Sequence, residues 1–433
     1  MPATQEYEYL LECENVIGVD YDESENRVTV FVSQKRPKDC LDDEDDVEKR
    51  VVEAGHDADV DVVDAGYDET KEGFDALSVL EPMPEAAPGR QDRHRPVPGG
   101  VSEINVDSTA GTGGPYPARV EDASAAAWSD DVDEGDLVRL SNNHVYARSN
   151  AADFGEPILQ PSPEDGGDEG DAVGELVGYV PIEDEALVDV AARSVDRGQE
   201  SATYYELEAD WPTGVRREEY ADPRGETVTK TGRTTGVTSA DVEATSASVR
   251  VEFGEQGAIL FRDQLVTGYM SEPGDSGSPV FLENGELVGL LFAGSSRQTI
   301  CNRIANVEAE LGVEILVTEP DEEDENNEKG EDEEVPVYTT TMDHTVTVDL
   351  EAQSPELEAL EFDGELQPGT TVDVTATLSG EPGEYWLAVE DERTTVSIDE
   401  DGDGEGTLSV WIPDDASPST TLRIRGGPIE TLE

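Results

Sequence analysis

Cations are scarce in this chain: 28 Lys and Arg stand against 103 Asp and Glu, a formal charge of −75 over 433 residues. So little positive charge excludes duplex nucleic acid and anionic membranes as partners, because both need a cationic surface. The acids are spread through every region rather than gathered in a tail. That distribution predicts a halophilic protein of a high-salt cell, where molar salt shortens the Debye length to about 3 Å. Cysteine is sparse too. Cys13, Cys40 and Cys301 are far apart and lack metal-ligand spacing, so neither a disulfide framework nor a metal site is expected. No apolar run approaches the ~20 residues needed to span a bilayer. The start, Met1-Pro2-Ala3-Thr4-Gln5-Glu6-Tyr7, lacks the basic flank and apolar core of an export signal. A cytoplasmic location is the resulting expectation.

What is present divides the chain into four stretches. Residues 1–90 read as a small α/β accessory region, with strands at Val16-Ile17-Gly18-Val19 and Arg27–Val32 about a polar turn. Val47 and Val51-Val52 fit a short helix or a surface loop, and Val60-Asp61-Val62-Val63 a further strand. Residues 91–318 show short strands with glycine-rich turns, as at Leu137–Leu140, Ala247–Phe253, Ala258–Phe261 and Leu287–Phe292, which favours a barrel or sandwich. Ile304–Leu311 has the spacing of a short amphipathic helix. Residues 319–336 carry eleven acids in eighteen positions and read as an extended acidic linker. From 337 to 433, alternating segments at Thr345–Val348, Val372–Ala376, Tyr385–Val389, Leu408–Ile412 and Thr421–Ile424 predict an Ig-like β-sandwich. That sandwich has neither a basic stripe nor a dense aromatic platform to choose among its expected partners, which are protein, polysaccharide or another copy of the chain.

Three short motifs carry chemistry. Gly274-Asp275-Ser276-Gly277-Ser278-Pro279-Val280 sets a serine between glycines at the mouth of an apolar strand. The glycines permit a sharp turn without a Cβ collision, so the Gly274 and Ser276 amides can point into one cavity as oxyanion donors. Leu140-Ser141-Asn142-Asn143-His144-Val145 offers an imidazole, whose near-neutral pKa suits it to take the Ser276 proton and return it to the leaving group. Asp189, between Val188 and Val190, is costly to bury unpaired; it either orients that imidazole or faces solvent from a strand. Asp184 and Asp196 are the substitutes for that role, and His56, His94 and His344 have no comparable surroundings. No cofactor is expected: Gly232-Arg233-Thr234-Thr235-Gly236 lacks phosphate-loop spacing. Asp399, Asp401 and Asp403 lack the glutamate a calcium loop needs at its twelfth position, which is Val410.

The order His, Asp, Ser and the segment Val228–Gly236 resemble the chymotrypsin-like (trypsin-like) serine proteases. Leu140–Ala147, Ile158–Pro161 and Asp165-Gly166-Gly167 are similar to a prokaryotic, haloarchaeal type with an N-terminal α/β region. The resemblance implies a mainly β fold whose double β-barrel core holds the site in a cleft. It also implies a serine endopeptidase acting on protein or peptide through His144, Asp189 and Ser276. It places Met270 at the floor and Gly294 on the wall of the substrate side-chain pocket; Met270 supplies no carboxylate, which argues against basic specificity and for a modest apolar side chain. The chain departs from the pattern by lacking an Ile-Val-Gly-Gly-like processed start, so Asp275 must pair elsewhere or be solvated. Residues 1–90 could then cover part of the cleft as an accessory or inhibitory unit. A catalytically inactive peptide-binding protein and an esterase are the alternatives.

Overall fold

The computed structural model describes residues 3–42, 44–77, 84–108, 110–209, 211–217, 223–318 and 320, with strands and one adjoining residue between 356 and 428. Two compact units result, Met1–Asp321 and Glu322–Glu433. In the first, strands Val16–Asp22 and Arg27–Val32 form the hairpin expected from the polar turn. Helix Val47–Glu53 follows. Its first free amides are met by the Asp46 side chain, which accepts from Lys49 N at 3.2 Å. Val47 and Val51, one turn apart, bury against Leu10, Leu11, Val16 and Val30. Strand Asp59–Asp64 then pairs parallel to Arg27–Val32.

Six strands close a ring in pairing order: Thr227–Gly232, Pro279–Leu282, Glu286–Gly294, Gln298–Arg303, Ala258–Gly268 and Gly236–Glu252, which returns to the first. Val228, Val242, Leu265, Val280, Val288 and Leu291 fill its interior. Alternate residues point inward along a barrel strand, which accounts for the apolar rhythm of these segments. Gly236–Glu252 is long enough to pair also with Val16–Asp22, at Gly18↔Val249, so the N-terminal sheet continues the barrel sheet.

The preceding barrel follows the path Val313–Ile315, Ala118–Val120, Leu137–Ser141, Ala191–Ser194, Ala172–Tyr179, Pro157–Leu159 and Ile104–Asn105.

 This barrel and the ring share a core in which Leu140, Val188 and Val190 meet Phe281, Leu287 and Leu290. Helix Ile304–Leu311 lays Ile304, Val307 and Leu311 on that same core and stops at Gly312, whose φ of +74° suits a residue without a Cβ. The fold is therefore mainly β, a chymotrypsin-like double barrel preceded by a small α/β region.

The second unit is described only through its strands. Glu356–Asp363, Thr371–Ser379 and Asp403–Trp411 form one antiparallel sheet, and Glu392–Ile398, Gly383–Val389 and Ile424–Pro428 another. The expected linker at 319–336 (Pro320 aside), the segment Thr345–Val348, His344, Asp399 and Asp401 lie outside the described residues. No helix among the described residues is long and apolar enough to cross a membrane.

Candidate active site

Strand Leu137–Ser141 runs into a one-turn helix, Asn143–Tyr146, and this turn carries His144. Each polar residue before the imidazole has a task. Ser141 Oγ donates to Thr112 O at 2.8 Å, Asn142 Nδ2 to Asp189 O at 2.8 Å, and Asn143 Nδ2 to Val180 O at 2.7 Å. The Asp189 carboxylate grips His144 twice, one oxygen accepting its backbone N–H at 3.2 Å and the other facing ring Nδ1 in a short contact. A carboxylate at Nδ1 fixes the tautomer with its proton there and leaves Nε2 as acceptor. His144 Nε2 is buried and has no hydrogen-bond partner among the described residues. Asp189 is itself fully buried and donates its own N–H to Asn302 Oδ1 at 3.0 Å. It sits just before strand Ala191–Ser194 rather than within it. The run Val188-Asp189-Val190 is buried at all three positions, so Asp189 does not face solvent from a strand; its carboxylate meets His144 instead.

Ser276 lies on the tight turn entering strand Pro279–Leu282. Gly274 and Gly277 have φ of +96° and +92°, the left-handed region that the flanking glycines were expected to supply. A Cβ on Gly277 would stand 2.2 Å from both Thr112 O and Ser141 Oγ, so this close approach also requires glycine. Thr112 ties the motifs together: its N–H donates to Ser276 O and its hydroxyl to Gly274 O, each at 2.9 Å, while its carbonyl accepts from Ser141. The serine turn thus rests against the segment that leads into His144. Ser276 Oγ donates to Phe292 O at 3.4 Å. The Gly274 amide donates to Leu77 O at 2.9 Å.

Asp275 is held by buried partners. Its carboxylate accepts from Thr234 N at 2.8 Å, Thr235 N at 3.1 Å, Thr235 Oγ1 at 2.7 Å and Glu272 N at 3.0 Å, and faces Lys230 Nζ at 3.2 Å. Burial pushes the Lys230 ammonium below its ordinary value, and Asp275 offsets part of that. Lys230 therefore occupies the electrostatic role that a processed N-terminal amine would otherwise fill beside this carboxylate. Arg233 completes the connection between barrels, its guanidinium reaching Asp165 at 2.6 and 2.7 Å. Burial alone would raise the Asp165 carboxyl; the Arg233 pair prevails and holds it low.

Phe253, at the end of the long hairpin, sets its ring 6.1 Å from the His144 ring at 60°, and Gln256 Nε2 donates to Ser149 O at 2.8 Å across the barrels. Strand Phe74–Ala76 lies between Gly236–Glu252 and Glu286–Gly294, with Ala76 opposite Ala293 and Asp75 opposite Gly294. Met270 is buried in one apolar cluster with Leu77.

The sequence singled out His144, Asp189, Ser276, Gly274, Met270 and Gly294; Asp189 holds His144, Thr112 ties the Ser276 turn to the segment before His144, Gly274 donates to Leu77 O, Met270 shares a cluster with Leu77, and Gly294 pairs with Asp75. Sequence reasoning passed over Lys230, Asn302, Phe253, Thr112 and Leu77. Only Lys230 had a legible signal, the single cation of the segment Thr227–Gly232 in an acidic chain.

Residues 140–308 match the family model Trypsin. Among solved structures, chymotrypsin of Cellulomonas bogoriensis and Protease A of Thermobifida fusca are each 17% identical with a TM-score of 0.35; the alignments cover 51% of this chain and 99% and 98% of theirs. The Nocardiopsis protease is 16% identical with a TM-score of 0.34, over 51% of this chain and 98% of its own. No curated protein matches the chain.

Proposed function

From the match of residues 140–308 to the family model Trypsin, we propose that this chain is a serine endopeptidase working through a Ser-His-Asp triad and an acyl-enzyme. The observation that carries the proposal is the double grip of Asp189 on His144, which leaves a buried, unpartnered Nε2, while Thr112 ties the glycine-flanked serine turn to the segment before His144. In the first step Ser276 Oγ attacks the substrate carbonyl carbon while its proton passes to His144 Nε2. Asp189 stabilises the imidazolium that forms. The Gly274 and Ser276 amides hold the oxyanion, and each such donor contributes about 3–4 kcal/mol. Collapse of the intermediate breaks the C–N bond, and His144 returns the proton to the departing amine. Water then repeats the sequence on the ester and frees Ser276. Met270 and Gly294 form the floor and wall of the side-chain pocket in this reading, with apolar preference. Residues 91–318 serve as the catalytic domain, and the strands of the second unit as an Ig-like sandwich.

Ser276 Oγ points to Phe292 O rather than to His144, which favours the inactive peptide-binding alternative as the second reading. Catalytic hydrogen bonds often tighten only when substrate is bound, so this contact is compatible with activity. One experiment separates the two. In molar salt, a fluorophosphonate should label wild type and not Ser276→Ala, and wild type should hydrolyse peptides in preference to simple lipid esters. A wild type that binds peptide but takes no label removes the catalytic reading, and preferential ester turnover replaces the peptidase with an esterase.

A further inference from the structure

We infer that Phe74-Asp75-Ala76-Leu77 is this protein's own bound substrate and that the Leu77–Ser78 peptide bond is a self-cleavage site; the inference rests on the serine peptidase reading above. Leu77 N–H donates to Phe292 O at 3.2 Å, the same carbonyl that accepts from Ser276 Oγ at 3.4 Å. Its own carbonyl oxygen receives the Gly274 amide at 2.9 Å, the donor assigned to the oxyanion. A residue whose N–H and nucleophile share one acceptor, and whose C=O occupies an oxyanion donor, presents its carbonyl carbon to that nucleophile. The strand before it adds to the barrel as an extended peptide would, antiparallel to Ala293 and Gly294 and parallel to Val251 and Glu252. Tyr67 reinforces the register, accepting from Asp75 N and donating to Gly294 O, both at 3.1 Å. The Leu77 side chain is 5% exposed and packs in the cluster that contains Met270. The pocket therefore takes leucine in cis.

The reaction balances without a further reagent. Ser276 Oγ bonds to the Leu77 carbonyl carbon and its proton moves to His144; the bond to the Ser78 nitrogen breaks, and that nitrogen takes the proton. Water then hydrolyses the Leu77 ester, leaving a carboxylate at Leu77 and an amine at Ser78. Until this happens residues 1–77 block the cleft, and the bound strand defines its preference for an apolar side chain.

The full chain in molar salt tests this through intact mass and N-terminal sequencing. Wild type should resolve into a fragment ending at Leu77 and one beginning at Ser78, whereas Ser276→Ala should stay whole. Leu77→Lys should slow that cut by about 100-fold, since the pocket would have to desolvate a charge. Ser78→Pro, which leaves the bound strand untouched, should also stay whole at this bond. In trans, an anilide of Phe-Asp-Ala-Leu should be hydrolysed about 100-fold faster than its Phe-Asp-Ala-Lys counterpart. A wild type that stays whole yet hydrolyses the free leucine peptide overturns the cis assignment and leaves the peptidase reading standing. Cleavage of Ser276→Ala at the same bond also overturns it. A wild type that stays whole and takes up no fluorophosphonate overturns both.

Discussion

In the first barrel the His144 segment is held by buried charge, whereas in the second the Ser276 turn rests on an apolar core with one ion pair at its edge. Arg193 binds Glu103 at 2.5 Å and Glu200 at 2.9 Å, and Arg139 binds Glu200 at 2.9 Å, all with side chains out of solvent. Tyr146, on the helix of His144, donates to Glu103, and its carbonyl accepts from Asn105 at 2.8 Å. Burial alone would raise the Glu200 carboxyl, but Arg193 and Arg139 hold it below its ordinary value. In the second barrel Val228, Val242, Leu265, Val280 and Leu291 surround the turn's strand, and Lys230 with Asp275 marks the cleft end. Apolar packing is non-directional and suits a strand barrel that only needs to be solid. A one-turn helix has too little apolar surface to be fixed that way, and directional charged hydrogen bonds fix it instead.

This contrast can be broken at several points. The largest effect belongs to Asp189→Asn, which should lower kcat by about 10⁴ with the unfolding midpoint nearly unchanged; a loss under about tenfold moves the orienting role to another group. Arg193→Met leaves two buried carboxylates short of a partner and should cost about 3–5 kcal/mol in denaturant unfolding at molar salt. A cost near zero would mean that charge does not hold the first barrel. Leu291→Ala, a cavity in the apolar barrel, should cost about 2–5 kcal/mol without altering the acid-unfolding profile. The smallest change is in pH dependence. The folded pKa of Glu200 lies below its unfolded value of about 4.3, so its contribution is complete above that value and fades as pH falls through the folded one. Unfolding midpoints for wild type and Glu200→Gln should therefore differ in slope only on the acid side; parallel profiles would reject the assignment.

Much of this was legible locally. The short apolar run Leu287–Phe292 and the glycines about Ser276 specify a strand and a left-handed turn through rules that act within a few residues. The helix at Ile304–Leu311 followed from its apolar spacing. Asp189 was only half legible. Its apolar neighbours suggested an alternating strand, yet the chain buries all of Val188, Asp189 and Val190 because two barrels close over them. The partner of Asp275 was open between another group and solvent, and Lys230, 45 positions earlier, proved to be that partner. Leu77 had no signal, since nothing in Phe74-Asp75-Ala76-Leu77-Ser78-Val79-Leu80 sets it apart from other leucines.

By itself the sequence determined the acidic composition, the mainly β class and the glycine-flanked turn about Ser276, since composition, periodicity and local turn sterics depend on near neighbours. Tertiary structure alone decided which carboxylate meets which cation, how the imidazole is gripped, and that an N-terminal strand lies along the cleft. Those outcomes depend on pairings between residues up to some two hundred positions apart, and no local rule encodes such distances.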